Sequence, residues 1–422
     1  MPLSRRRLLK AGLGGALLAG TASCAAPGGS TGRDMTLWYW GGGLSTTVLG
    51  EAARRFTRVD LKPVKIGGYV KAKLLTTMAG KAHVPDIPAL KGQDIATFCR
   101  HAEQFVDLRT LGADRFAGRY LPWKWRQGFA DDGRMVGFPI DTGPTALFYR
   151  ADLFGEAGLP TEPAEVAREL STWDKYFEAG VRLRRTSPEK RLLLGIVDVF
   201  RFALYQGPDQ LADRTGRFLG DRPHVRRAWD LAVRAHEMGV SAGIPEGTDD
   251  AAGALANGLV PSRVAASWGG ADIRSQAPDT SGRWRVAAPP DGPGNFGGSF
   301  LAITQYCREP QLAFEIITWL LDPANQVQGY RDEVLFPSTP ESFADPRLRL
   351  PEEFFGGQVA VDVFSASARA VPPIYLSPYE DALTQPYFDE LSAVDSQGKD
   401  PRVAWRDALD RAHRTAEHWG LT

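Results

Sequence analysis

Tryptophan residues near the ends of predicted strands are the residues best placed to bind a ligand in this sequence. Trp38 and Trp40 alternate near the end of one apolar run, and Trp268 ends another run directly before Gly269 and Gly270. An indole plane can stack on the apolar face of a ligand, and a glycine backbone lets a ligand approach closely. Core packing is the alternative for each indole. Since side chains 38 and 40 share one face of a strand, at most that face lines a site.

Two carboxylates and two glycines complete the candidate binding set. Asp94 follows the third predicted strand, and Asp141 precedes a Thr-Gly-Pro turn. A carboxylate there could accept hydrogen bonds from ligand hydroxyls. The alternatives are an N-cap for a helix that begins at Ile95 and a turn cap at position 141. Gly297 and Gly298 precede another predicted strand and could offer backbone amides.

The sequence contains no motif that indicates a cofactor or a metal. Residues 292–297 match G-x-G-x-x-G, but a predicted strand follows instead of a helix, so we reject a dinucleotide site. P-loop, GxSxG, HExxH and EF-hand patterns are absent, and none of the six histidines has a zinc-ligand spacing. Cys99 and Cys307 lie far apart in sequence, which predicts two buried thiols, although a disulfide between them stays open.

An export signal is predicted at the N-terminus. The segment Ser-Arg-Arg-x-Leu-Leu-Lys, with Arg5 and Arg6, resembles a twin-arginine signal, and the apolar stretch 11–19 that follows is too short to span a bilayer. We therefore expect an exported bacterial chain.

A lipid-attachment site is predicted directly after this signal. The segment that ends at Cys24 resembles a lipobox, with Thr21 where that pattern usually has leucine. Acylation of Cys24 would anchor the chain to the outer face of the cytoplasmic membrane, after removal of a signal peptide 1–23 and through a flexible tether 24–33. The alternative is a cleaved signal in which the cysteine occurs by chance.

Length and charge restrict the remaining possibilities. A chain of 422 residues is too long for one compact core, so two lobes are expected. The 50 basic residues balance the 50 acidic ones, and removal of the signal peptide takes four basic residues and no acidic one, leaving 46 against 50. A mildly acidic mature chain argues against a nucleic-acid partner.

Hydrophobic periodicity predicts alternating strands and helices that build a sheet covered by helices. Residues 164–243 and 379–419 are predicted to be mostly helical. The predicted strands are 35–40, 64–66, 87–90, 135–140, 145–149, 192–197, 264–268, 284–287 and 297–304, and the separate predicted helices are 46–58, 70–79, 95–104 and 312–321.

A series of blocks resembles the carbohydrate-uptake family of extracellular solute-binding proteins that serve bacterial ABC importers. Singly these blocks are weak, but their order and spacing are specific. They are 37–40 (LWYW), 84–87 (VPDI), 132–143 (DGRMVGFPIDTG), 146–154 (ALFYRADLF), 157–159 (AGL), 297–303 (GGSFLAI), 313–315 (AFE) and 319–320 (WL).

The resemblance implies an α/β fold with two lobes, the periplasmic-binding-protein-like or Venus flytrap fold. Each lobe would be a mixed sheet flanked by helices, with a ligand cleft between the lobes. It places lobe 1 at 34–141 and 299–345, and lobe 2 at 142–298 and 346–422. The chain would cross between lobes near 141–144 and return near 298–300.

The same resemblance implies a monomeric binding protein, not an enzyme, that captures a sugar or oligosaccharide and delivers it to permease subunits. Aromatic platforms and carboxylates suit a sugar, which has apolar faces and many hydroxyls. Two alternatives stay open. An exported glycoside hydrolase would need a pair of carboxylates at ~5 to 9.5 Å. A polyol or glycerophosphodiester could replace the sugar, and the sequence does not place Arg126, Arg274 or Arg331 in a cleft.

Overall fold

The computed structural model describes residues 34–422. The predicted signal peptide with Arg5 and Arg6, the acylation site Cys24 and the tether therefore lie outside the described residues. Within the described part, no helix is both long enough and apolar enough to cross a membrane.

Two β-sheets organise the described chain. The strands are β1 (Asp34–Tyr39), β2 (Asp60–Lys65), β3 (Ile87–Lys91), β4 (Phe138–Thr142), β5 (Thr145–Arg150), β6 (Ser262–Ala266), β7 (Trp284–Ala287), β8 (Ser299–Leu301) and β9 (Phe336–Pro337). The first sheet has the order β2-β1-β3-β8-β4-β9 and the second has the order β6-β5-β7. The first is mixed, since β1 is parallel to β2 and β3 while β8 is antiparallel to β3 and β4. The second is antiparallel at both pairings, where a mixed sheet was predicted.

Helices cover both sheets. They are α1 (Thr46–Arg55), α2 (Val70–Gly80), α3 (Ile95–Arg100), α4 (Pro122–Gln127), α5 (Ala151–Glu156), α6 (Pro163–Glu169), α7 (Trp173–Thr186), α8 (Ile196–Tyr205), α9 (Pro223–Glu237), α10 (Asp249–Ala256), α11 (Gly269–Gln276), α12 (Pro310–Leu320), α13 (Pro323–Glu333), α14 (Val361–Ala370), α15 (Glu380–Gln397) and α16 (Pro401–His418). Short 3₁₀ helices occur at Gly92–Asp94, Ala102–Gln104, Leu108–Leu111, Ala113–Arg119, Pro278–Thr280, Ser342–Ala344 and Glu353–Phe355.

Local sequence explains where the long helices begin and what they bury. The Ser45 side chain accepts a hydrogen bond from the Val48 amide and caps α1. At the other end of the chain, the Asp400 carboxylate caps α16. Small alanines then recur every fourth residue on the buried face of α16, and this spacing lets α15 pack closely against it.

The two sheets stand at the centres of two lobes, each with its own apolar core. One large cluster surrounds β1, β3, β4 and β8, and another packs β5 and β6 against α7, α8, α9, α15 and α16. A third cluster joins residues of both lobes, including Trp123 and Phe336 from the side of the first sheet and Phe148 from β5. The lobes therefore share apolar contacts beside the chain crossings.

Three predicted elements differ most from the structure, while β2, β4 and β6 are displaced from their predicted bounds by up to four residues. The predicted strand 192–197 is wrong: Leu193 makes only an isolated bridge to Ser241, and α8 begins at Ile196. Apolar residues at 196, 199, 200 and 203 give that segment a helical stripe. The helix predicted over 95–104 breaks at His101, and the predicted strand 297–304 is reduced to β8.

The chain crosses between the two sheets in two segments that lie against each other, and it enters the second lobe once more after β9. It leaves the first sheet after Thr142 and enters the second at Thr145, and it returns through the residues that precede Ser299. The Gly143 amide donates to Asn295 Oδ1 at 2.9 Å, and the Phe296 amide donates to the Gly143 carbonyl at 2.9 Å. The predicted lobe boundaries lie at or next to these segments and stay a prediction.

Gly143→Ala should destabilise the protein, because a β-carbon at position 143 would overlap the Phe296 carbonyl oxygen. Forcing the crossings apart should cost about 1 to 3 kcal/mol in the free energy of unfolding. Urea denaturation measures this loss. Gly253→Ala in α10 is the matched control, since its β-carbon meets no atom within 4 Å. Equal stabilities of the two variants would contradict the proposed constraint.

Candidate functional site

A cavity of about 700 Å³ lies between the two lobes. The first lobe contributes residues of α3, α4 and the loop 129–134 to its wall. The second lobe contributes Pro208, Arg214 and residues of the segment 373–379. The volume is within the range of small-molecule sites, and a ligand there would touch both lobes.

Two tyrosines from the second lobe line the cavity, and each is covered by an arginine. The Arg100 guanidinium lies 4.8 Å from the ring centre of Tyr379, and that of Arg214 lies 4.7 Å from the ring centre of Tyr375. Tyr379 also stacks on Trp419, with ring centres 4.9 Å apart. These contacts hold the rings in fixed orientations beside the cavity.

Polar groups of the first lobe face the same cavity. Arg134 pairs with Asp132 at 2.6 Å, and Asp131 pairs with Arg214 of the second lobe at 3.4 Å. Gln127 lines the wall, and neither polar atom of its amide has a hydrogen-bond partner among the described residues. A buried, unpaired amide is available to a ligand or a water molecule.

Ion pairing also joins the lobes near the first sheet. Lys71 Nζ lies 2.9 Å from Asp94 Oδ1 and 3.6 Å from Asp381 Oδ2 of the second lobe. Asp94 is buried and stands at the predicted N-cap position of α3, but its side chain makes no capping hydrogen bond. Thr97 Oγ1 donates to the Pro378 carbonyl at 3.4 Å beside this pair.

Trp38 lies within β1, an inner strand of the first sheet, and Trp40 directly follows the last residue of that strand. Trp38 is only 8% exposed and packs with Ile66 and Val70, so core packing accounts for it. Trp40 is half-buried, and the ammonium of Lys91 lies 5.4 Å from its ring centre. Trp40 therefore keeps an accessible surface beyond the end of its strand.

The other predicted residues gather at the return crossing. Trp268 is half-buried just beyond β6, and its ring centre lies 5.8 Å from that of Phe296. Gly297 lies beside the Trp268 indole. Gly269 is buried, and a β-carbon there would lie 2.7 Å from the Ala265 side chain, so its observed role is helix–sheet packing. Gly298 is buried, and its carbonyl accepts a hydrogen bond from Gly92 at 2.6 Å.

Asp141 is a buried carboxylate at the crossing, near the buried ammonium of Lys124 but without a salt bridge to it. It is 5% exposed, and Lys124 is fully buried beside it. Burial raises the pKa of Asp141 to about 6, against the opposing effects of Lys124 and Ser299. Burial likewise lowers the pKa of Lys124 to about 7, and Asp141 opposes that shift. Neither Lys124 Nζ nor Asp141 Oδ1 has a hydrogen-bond partner within residues 34–422.

Asp141→Ala should destabilise the protein by about 1 to 3 kcal/mol, because it removes the nearby negative charge that favours the charged form of the buried Lys124. The double variant Lys124→Met with Asp141→Leu should recover most of that loss, since it removes both charges. Urea denaturation of wild type, single and double variants measures the difference. A double variant as unstable as Asp141→Ala would show that the charges are not the cause.

Glu380, which follows the cavity-lining Tyr379, is a second buried carboxyl. The Leu211 amide donates to Oε1 at 3.4 Å, while Oε2 has no partner among the described residues. Burial raises the pKa of Glu380 from 4.5 to about 8. The folded protein therefore holds this proton at neutral pH.

The free energy of unfolding should fall as pH rises from 4.5 to about 8, because the unfolded chain releases the Glu380 proton first. Glu380→Gln should remove this decline, so the variant should match wild type near about pH 5 and exceed it by a few kcal/mol above about pH 8. Thermal melting across this range is the measurement. Glu156→Gln at an exposed position is the control. Parallel wild-type and Glu380→Gln curves would contradict the assignment.

None of the eight predicted ligand residues lines the 700 Å³ cavity. They lie at strand ends and at the return crossing, and as ligand contacts they stay predictions. Sequence reasoning missed Arg100, Tyr375 and Tyr379. One available signal was the segment 372–379, PPIYLSPY, in which prolines and tyrosines interrupt two helical stretches.

The described part of the chain contains neither a candidate metal site nor a disulfide. Residues 34–422 contain no group of three or more His, Cys, Asp or Glu side chains that could hold a metal ion. Cys99 and Cys307 are both free thiols, so the disulfide that the sequence left open is not formed.

Comparison with known proteins gives consistent results along nearly the whole chain. The lactose-binding protein of Rhizobium radiobacter is 23% identical over 411 residues, which cover 87% of this chain and 89% of that protein. A crystal structure of an extracellular solute-binding protein of family 1 superposes with a TM-score of 0.85 at 28% identity, covering 91% of this chain and 99% of the other.

A sugar-bound structure shares the fold. The galacto-N-biose-/lacto-N-biose I-binding protein of the ABC transporter from Bifidobacterium longum, in complex with lacto-N-biose, superposes with a TM-score of 0.75 at 17% identity and covers 92% of this chain and 98% of its own. The two-lobed, periplasmic-binding-protein-like fold is thereby confirmed. Residues 56–354 match the family described as bacterial extracellular solute-binding protein. This match spans well over half of the sequence, and the chain belongs to that family.

Proposed function

We propose that this protein captures a sugar or oligosaccharide outside the cytoplasm by closing its lobes, and that it delivers the solute to the permease of an ABC importer. The observation that carries the proposal is the cavity between the lobes, which has tyrosine rings on one side and arginine and amide groups on the other. Sugars need such a combination of planes and hydrogen-bonding groups. The lactose-binding and lacto-N-biose-binding relatives support the same class of solute.

Closure follows from the way the cavity is divided between the lobes. A solute that touches Gln127 of the first lobe and Tyr375 of the second gains contacts that an open arrangement would lack. Only such differential binding can shift an open–closed equilibrium. The pair between Lys71 of the first lobe and Asp381 of the second adds a contact that closure would favour.

The strand-end residues are proposed as further contacts of a longer solute. Trp40 and Trp268 both keep accessible ring surface, while Asp94 lies next to the cavity-lining Ile95. Trp38, Asp141, Gly269, Gly297 and Gly298 support these positions by packing and backbone contacts. An oligosaccharide could extend from the cavity toward these strand ends.

Export and anchoring belong to the proposal as well. Family membership supports export, and Arg5, Arg6 and Cys24 supply a twin-arginine signal and an acylation site. Acylation would keep the loaded protein, proposed to be a monomer, near its permease. The proposed route is thus capture and docking at the outer face of the cytoplasmic membrane.

A thermal-shift screen tests the function with the chain that lacks residues 1–23. Lactose, lacto-N-biose, longer oligosaccharides, polyols and glycerophosphodiesters are the ligands to compare. A bound solute at about 1,000 times its Kd should add about 4 kcal/mol to the free energy of unfolding. The solute should be recovered unchanged. Cleaved sugar would instead identify a glycoside hydrolase, and failure of every saccharide to shift the melting temperature would contradict the proposed sugar class.

Two variants then locate the bound sugar. Tyr375→Ala should weaken binding by about tenfold, the cost of one lost aromatic contact of about 1.4 kcal/mol. Trp268→Ala should weaken the binding of longer oligosaccharides only, because Trp268 lies outside the cavity. Tyr306→Ala, an exposed tyrosine that is not in the cavity wall, is the control for calorimetric titration.

A further inference from the structure

The interlobe cavity carries more positive than negative side chains. Its wall includes four arginines and three carboxylates. Asp132 neutralises Arg134, and Asp131 neutralises Arg214. The remaining carboxylate, Glu103, lies 3.8 Å from a nitrogen of His101.

Two arginines of this wall have no carboxylate partner. Within residues 34–422, no carboxylate oxygen lies within 4 Å of the guanidinium of Arg100 or of Arg126. Arg100 is placed by the ring of Tyr379, and Arg126 projects from α4 with an exposed side chain. A guanidinium in a concave site attracts anions more strongly than one on an open surface, because the surrounding protein focuses its field.

A neutral hydrogen-bonding group stands beside these cations. Gln127 follows Arg126 directly, and its amide nitrogen and oxygen are both buried without partners in the described chain. The amide nitrogen can donate to an anionic oxygen, and the amide oxygen can accept from an adjacent hydroxyl. Arginine and amide donors together match a carboxylate or phosphate attached to a hydroxylated ring.

We infer that the solute is an acidic sugar, with a carboxylate or phosphate bound by Arg126 and Arg100 and a neighbouring hydroxyl bound by Gln127. This inference rests on the proposed sugar-binding function and specifies its substrate class. The tyrosines of the second lobe then contact the ring of the same residue. The paired Arg134 and Arg214 stay in their ion pairs and hold the wall in place.

Calorimetric titration of the mature chain with matched pairs of ligands tests the inference. The pairs are glucuronate and glucose, digalacturonate and galactobiose, and glucose 6-phosphate and glucose. An acidic member should bind at least about tenfold more tightly than its neutral counterpart. Comparison of the uronates with the sugar phosphate then shows whether the site prefers a carboxylate or a phosphate. Tighter binding of every neutral member would overturn the inference and leave the proposed function standing.

Substitution of the unpaired arginine gives an independent readout. Arg126→Gln should reduce the affinity for the preferred acidic sugar by about tenfold or more, and it should reduce the affinity for the neutral counterpart by a much smaller factor. Arg126→Lys should restore part of the loss because it restores the charge. Arg414→Gln on the exposed face of α16 is the matched control. An unchanged preference for acid in Arg126→Gln would overturn the assignment, whereas absence of binding to any saccharide would overturn the proposed function together with it.

Discussion

The backbone contact between the two crossing segments determines where a ligand can lie. The Phe296 amide donates a hydrogen bond to the Gly143 carbonyl, and the Gly92 amide of the first lobe donates to the Gly298 carbonyl of the return segment. Glycines at 92 and 143 are needed because a β-carbon at either position would overlap a carbonyl oxygen of the other segment. With the crossings held together at one side, the lobes can separate only on the other.

The charged side chains at the crossing are buried, whereas the ion pairs that join the lobes elsewhere are more exposed. The crossing holds Lys124 and Asp141 in a buried environment where both charged forms are disfavoured. The pairs that join the lobes away from the crossing are more accessible, as in the exposed Arg214 and Asp131. Buried pairs depend strongly on their partner, whereas exposed pairs exchange with water at little cost. We therefore expect the contact between the crossing segments to stay formed, whereas the exposed ion pairs between the lobes can open and re-form.

The fold could be predicted from the sequence much more fully than the site. Strand β7 agrees with its predicted bounds, and β1, β3 and β5 agree within one residue, because short apolar runs bounded by glycine and charged residues predict buried strands well. Residues 192–197 are apolar enough for a buried strand. From Ile196 onward, however, the apolar side chains recur at the spacing of a helix and form the buried face of α8. The order and spacing of short sequence blocks along the chain were sufficient to indicate the two-lobed family.

The residues of the cavity wall could not be predicted from the sequence, for a physical reason. It combines short helices and loops around 95–134 with the segment 373–379, and neither part has the periodicity that marks a buried face. The predicted residues were chosen for their places at strand ends, where Trp40 and Trp268 do lie. Distances between segments separated by more than two hundred residues depend on how the lobes pack, which no local pattern encodes.

The late position of the segment 373–379 has a consequence for biosynthesis. A ribosome makes the arginine side of the cavity early, but the tyrosine side follows only after all nine strands have been made. A partly synthesised chain therefore has no enclosed site, and contacts of such long sequence separation form late because closing long loops is entropically costly. The two walls of the cavity can therefore come together only after the C-terminal part of the chain has been made.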